Sequence, residues 1–245
     1  YQDRYDCVAR SGNDPASLGE YVRESGTAKS ENGQIIGSDV GIDIGGAYAA
    51  GVFENIEITA PTTAGVYVTG STAASSSNIN VTGGDYAVLS GTSASGRFDL
   101  QNVDFENQNL AGIYYLKNLN TEFSGSITGG QGPALKYGLD TDRSVELSGL
   151  SIKTNAIGIE SLGSTDFVLK DVELNNTQHD VAMSGSSSMD FIEGDLNMST
   201  VEVTGTGVFT RMREVDITVT ADVVSGSTTT TEDVEGTNVV LKDHL

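Results

Sequence analysis

Lys136, Asp140, Asp142, Arg143, Glu160, His179 and Asp180 carry the groups that acid–base chemistry on a charged sugar would need. Such a reaction uses carboxyl groups that give and take protons, and a cation beside them suits a sugar acid. The same residues also read as ordinary charged loop positions on a solvated surface. Tyr67, Tyr86 and Tyr114 are spaced to fall on one side of successive turns of a repeat. A row of rings stacks on sugar faces, and it also supports neighbouring strands with no ligand present. Asp140 with Asp142, and Asp190 with Asp195, offer oxygen ligands to calcium, though neither pair has the spacing of a known calcium loop. Glycosylation sequons begin at Asn80, Asn175 and Asn197, as many as chance yields in a chain this rich in Asn, Ser and Thr.

The elements that must position these groups are set by one pattern. In Phe167-Val168-Leu169-Lys170-Asp171-Val172-Glu173-Leu174, two triplets alternate apolar and other residues, and Lys170-Asp171 shifts the phase between them. The pattern predicts three extended residues, a two-residue corner, and three more extended residues with the same side inward. Phe98–Phe105, Val145–Ile152 and Phe191–Met198 repeat it, and a copy near Phe123 and Ile127 has an ambiguous register. The first apolar residue after the corner falls at Ile56, Ile79, Val103, Leu150, Val172, Leu196, Val215 and Val239. That spacing, about 23 residues, is a solenoid period. Half a repeat away lies a third apolar pair, including Ile42/Ile44, Val66/Val68, Ala87/Leu89, Ile113/Tyr115, Leu135/Tyr137 and Ile157/Ile159. The expected outward residues there are Asp43, Tyr67, Val88, Tyr114, Lys136, Gly158, Ala182 and Glu202.

The residue before the second triplet forms its own column: Asn55, Asn78, Asn102, Gly149, Asp171, Asp195, Glu214 and Asn238. A two-residue corner needs a residue near the left-handed conformation, which Asn, Gly and Asp tolerate best. With this column the chain resembles the right-handed parallel β-helix proteins of the pectin-lyase-like superfamily, whose short corner carries an Asn ladder. The resemblance spans roughly residues 35 to 243. It implies an all-β, right-handed, three-faced parallel β-helix of about nine rungs. It does not imply an activity, because that scaffold carries lyases, hydrolases, adhesins and viral spikes. The polygalacturonase motifs of the family (Asn-Thr-Asp, Asp-Asp, Gly-His-Gly, Arg-Ile-Lys) are absent here, and the Trp-containing pectate lyase motif is impossible in a chain without Trp.

The chain has 34 acidic against 13 basic residues, a net charge of −21. This disfavours nucleic acid as a partner and suits a solvated surface that resists aggregation. No run is long and apolar enough for membrane insertion. The single cysteine, Cys7, has no internal partner for a disulfide. Residues 1–34 read as an N-terminal extension, with a short capping helix over 14–25 that starts at Asp14-Pro15 and stops at Gly26. Residues 35–245 read as the coil. The chain opens on Tyr1 rather than Met, as a processed product or excised piece would. Its last rung closes at Val239–Leu241, and the four residues left are too few for a cap. An open end of this kind is expected to meet further chain or another copy of the protein, by a head-to-tail contact that builds filaments.

Together these features point to a non-catalytic extracellular or cell-surface β-helix, acting as spacer, adhesin or assembly subunit. The alternative is a carbohydrate-active enzyme or polysaccharide-binding module using the tyrosine side and the Lys136–Asp180 group. A trimeric phage-type spike is a third reading. No cofactor is expected beyond calcium.

Overall fold

Two families of strand follow from the alternation. A computed structural model describes residues 20–22, 27–45, 49–117, 119–183, 187–196, 201–203, 208–213, 215–217 and 234–235. Short strands, Val40–Ile44, Ala64–Val68, Tyr86–Ser90, Ala111–Tyr115, Pro133–Tyr137, Ile157–Ser161 and His179–Met183, stack in parallel into one sheet. Long strands, Thr27–Ile36, Ala49–Thr59, Ser71–Thr82, Ser95–Glu106, Phe123–Thr128, Asp142–Lys153, Ser164–Asn175 and Ser188–Leu196, stack in parallel into a second. The chain alternates between the sheets and therefore coils. The result is an all-β parallel solenoid of about six turns, with no helix among the described residues.

The two-triplet reading holds residue by residue in Ser164–Asn175. Phe167 and Leu169 are buried, Lys170 and Asp171 are exposed, and Val172 and Leu174 are buried again. Each buried Val, Leu or Phe contributes roughly 1.5–3 kcal/mol by leaving water. Stacking repeats this column on every turn. Within it Tyr115 and Tyr137 stack at 4.7 Å between ring centroids, and Phe167 meets Tyr137 edge-on at 4.9 Å.

The corner column is left-handed as expected at five of its positions, while Glu214 and Asn238 lie outside the described residues. Asn55, Asn78, Asn102 and Asp171 have φ between 52° and 54°, Gly149 has φ 63°, and Asn32 (φ 58°) extends the column upward. Asn55 Nδ2 donates to Asn32 Oδ1 at 3.1 Å, and Asn78 Nδ2 donates to Asn55 Oδ1 at 2.8 Å. Asn102 shares the conformation, but its backbone N–H donates to Ser124 Oγ at 3.1 Å. Asn55→Ala should therefore cost about 1 kcal/mol or more, from left-handed strain on a Cβ-bearing residue and two lost side-chain bonds. Asn55→Gly should cost less, because it removes the bonds but not the conformation. Chemical denaturation of the two variants measures the difference, and equal losses would show that strain contributes nothing.

The structure corrects several expectations. Within the stretch expected as helix, Glu20–Val22 is a strand paired with Ile42–Ile44; the rest of residues 14–25 lies outside the described residues. The edge of the first complete short strand offers a row of backbone partners that outweighs local helix signals. The ladder also reaches ahead of Ile35, since Thr27 already pairs with Ala50. In one short strand, Tyr86–Ser90, the phase is reversed: Val88 faces inward and Leu89 aligns with Tyr67 and Tyr114 on the outer column. In Ile157–Ser161 the phase is kept and Ile159 faces inward as expected, but the pair facing the core is Ile159 and Ser161, and Glu160 rather than Gly158 aligns with Lys136. In both strands the last inward position goes to a serine, Ser90 or Ser161, a residue type that usually lies outward. Ser90 Oγ accepts the Leu116 N–H at 3.1 Å, and Ser161 Oγ shares a 2.7 Å bond with Ser187 Oγ, so each buried hydroxyl is satisfied. Further on, Phe191 pairs with Leu169 rather than Phe167, and a bulge absorbs the shift. The ambiguous copy settles with Phe123 opposite Leu100 and Ile127 opposite Phe105, one residue shorter than its neighbour.

Candidate functional site

The outer column of the short-strand sheet runs Asp43, Tyr67, Leu89, Tyr114, Lys136, Glu160, Ala182 along the rungs. Parallel pairing in register puts these side chains one above another, so residues far apart in sequence become neighbours. Lys136 Nζ lies 2.7 Å from Glu160 Oε2, with the two side chains only 26% and 19% exposed. The same ammonium sits 5.5 Å from the centroid of the Tyr114 ring, on the rung above. Tyr114 in turn meets Tyr86, at 5.9 Å between centroids and tilted by 32°. The result is a continuous strip of Tyr86, Tyr114, Lys136 and Glu160.

The expected tyrosine row is thus only partly formed. Leu89 separates Tyr67 from Tyr114, and Tyr86 belongs to the adjacent column with Ala64 and Ala111. It leans across to Tyr114 diagonally. Burial, then the neighbouring Tyr114 and Asp85, raise the Tyr86 phenol above its ordinary pKa, while Lys136 pulls it back. The raised value means the folded state holds this proton more tightly than the unfolded chain. Stability is complete below the ordinary tyrosine range and is lost as pH rises through it toward the folded value. In spectrophotometric titration Tyr86→Phe should remove one late-ionising phenol from the curve; an unchanged late component would count against the assignment.

Among the described side chains the group of acids and bases does not assemble. Glu160 and Lys136 meet, and they neutralise each other. His179 is half-buried on the neighbouring column, opposite Ile157. Asp140 is exposed in the turn after Pro133–Tyr137. Asp142 and Arg143 begin a strand of the other sheet, opposite Ser164 and Thr165, and their side chains lie outside the described ones. Among the described residues no three His, Cys, Asp or Glu side chains converge on a common ion position. The side chains of Asp190 and Asp195 are outside that set, as are Cys7, Asn197 and the chain end at Val239–Leu245. Of the other sequon residues, Asn80 and Asn175 are exposed.

Asp180 has a different task, which sequence reasoning missed. It occupies the second position of its short strand, where the rungs above carry Gly41, Gly65, Ala87, Gly112, Ala134 and Gly158. At Gly158 no side chain fits, because a Cβ there would lie 2.4 Å from the Asp180 carbonyl oxygen. Asp180 is fully buried, and its Oδ1 accepts the backbone N–H of Asn176 at 2.7 Å and its side-chain amide at 2.9 Å. Asn176 Oδ1 accepts from Asn155 Nδ2 at 3.1 Å, and Asn155 Nδ2 also donates to the Ile127 carbonyl at 2.9 Å. Gln108, two rungs above Asn155, donates to the Val81 and Glu106 carbonyls. This is a second amide ladder, buried where the first is exposed. Its one sequence signal is an amide just after three of the long strands, at Gln108, Asn155 and Asn176.

Comparison with protein-family models, with curated proteins and with solved structures finds no match to this chain.

Proposed function

We propose that this chain is a non-catalytic β-helix of an extracellular or cell-surface protein, serving as a rigid spacer, adhesin or assembly subunit. The observation that carries the reading is the fate of the acid–base candidates. Lys136 and Glu160 are spent on each other, and Asp180 is spent on the Asn176 amide. A general acid or base needs a proton path to substrate, and a fully buried carboxylate in an amide ladder has none. The acidic, Ser- and Thr-rich surface and the exposed Asn80 and Asn175 fit life outside the cell. We read the solenoid as the right-handed, three-faced, pectin-lyase-like kind, with about nine rungs in one elongated domain. Support comes from the left-handed Asn column, which divides each long strand into two runs. Its partners would be other copies of itself or further chain of a larger surface protein, joined end to end.

A second reading is favoured by one observation, the half-buried Tyr86–Tyr114 pair beside Lys136. Such a strip suits a polysaccharide, with rings under the sugar faces and the ammonium near an acidic group. A glycan array and a reducing-sugar assay on acidic polysaccharides separate the readings. Neither binding nor turnover is expected for the spacer. Binding without turnover that is lost in Tyr114→Ala would establish the module, and turnover would establish the enzyme.

A further inference from the structure

From Thr27 to Asn175 the stacking of long strands is interrupted at the step into Asp142–Lys153. Asp142–Lys153 pairs with the rung below it along its whole length, from Asp142↔Ser164 to Lys153↔Asn175. Toward the rung above, its pairing begins only at Gly125↔Leu150. The backbone groups of Asp142–Ser148 that point upward face no strand. Across the gap, Asn120 and Glu122 bond away from it: Asn120 N–H donates to the Gly96 carbonyl, and their own carbonyls accept from Phe98 and Leu100. Both walls are therefore paired on their far edges and open on the edges that face each other. The opening is a cleft of about 570 Å³. Phe123 and Val145 line its floor at the edge of the core, 5% and 4% exposed.

The charges at its rim are unbalanced. Arg97 is held by Asp99 and Glu122, at 2.7 Å each. Glu146, on the opposite wall, has no ion-pair or hydrogen-bond partner among the described residues. One cation thus stands against three carboxylates. We propose that the cleft takes an extended basic peptide segment, which adds as a short strand between the two open walls. Open N–H and C=O groups along an extended strand match a peptide backbone, as in strand addition at a sheet edge. Strand alternation then sets the pattern of the guest. Apolar side chains would point inward at Phe123 and Val145, and basic side chains outward at Glu122 and Glu146.

The test uses the full chain with the peptide acetyl-Lys-Val-Lys-Val-Lys-amide, fluorescently labelled, and the same peptide N-methylated at both valines. Anisotropy should show saturable binding that weakens with salt. The N-methylated peptide keeps every charge but loses backbone donors, and should bind about tenfold more weakly or worse. Hydrogen exchange should slow at Ser144–Ser148 on adding the first peptide. Glu146→Gln should weaken binding while leaving thermal unfolding unchanged, because Glu146 has no partner among the described residues. Equal affinity for the two peptides would reduce the effect to charge attraction and overturn strand addition. Absence of binding, or protection of the same amides by oligogalacturonate and not by peptide, would overturn the proposal as well.

Discussion

Val172→Asp should cost the fold about 4 kcal/mol or more. Val172 is 1% exposed in the core column, paired with Leu150 of the rung above. A carboxylate there has no polar neighbour supplied by the repeat. It must either stay charged in an apolar surround or be neutralised at a raised pKa, and both are expensive. Glu173→Lys, one residue on, should change stability by less than about 1 kcal/mol. Glu173 points outward and holds Lys153 at 2.6 Å with both side chains well exposed, where an ion pair is worth little. Urea denaturation of both variants tests the register directly. Similar losses would mean that inside and outside have been assigned wrongly on this rung.

Asp180→Ala should destabilise by roughly 2–3 kcal/mol, because it strands a buried backbone N–H and a buried side-chain amide of Asn176 without their acceptor. Sterically the substitution is harmless. Alanine is the residue of Ala87 and Ala134 at the same position of other rungs, so any loss belongs to the hydrogen bonds. Asp180→Asn keeps a side-chain oxygen in place and should cost less than about 1 kcal/mol. A catalytic role would give the opposite order of importance: near-normal folding in both variants and loss of a turnover activity in both. Thermal unfolding followed by far-ultraviolet circular dichroism distinguishes the two cases.

These expectations rest on positions of unequal legibility. The core of Ser164–Asn175 is plain from alternation, and so is the left-handed corner, because Asn and Gly are the residues that tolerate it. A second left-handed column closes the long strands at Gly37, Ala60, Gly83, Asn107, Gly129 and Thr154. It was not legible, since Ala60 and Thr154 are residue types that avoid that conformation. Bonds between rungs hold them there, such as Ala60 N–H to the Thr82 carbonyl at 2.8 Å. Likewise Ser90 and Ser161 look like outward residues until the hydroxyl partners supplied by the next rung are known.

The candidate site shows the same division more sharply. Local sequence determined the repeat, its length and the inward face of most strands, because burial of alternate apolar residues is a short-range pattern with a large energy behind it. It also determined that Lys136, Glu160, His179 and Asp180 recur at intervals near the repeat. Only the stacked structure decided which of them touch. Pairing register between rungs, set by backbone hydrogen bonds and by small residues such as Gly158, placed Lys136 against Glu160 and turned Asp180 inward to Asn176. A shift of one residue reverses the side on which a side chain lies. One-letter spacing along the chain therefore could not separate a surface acid from a buried one, nor foresee that one rung, at Phe123, would leave its neighbour's edge open.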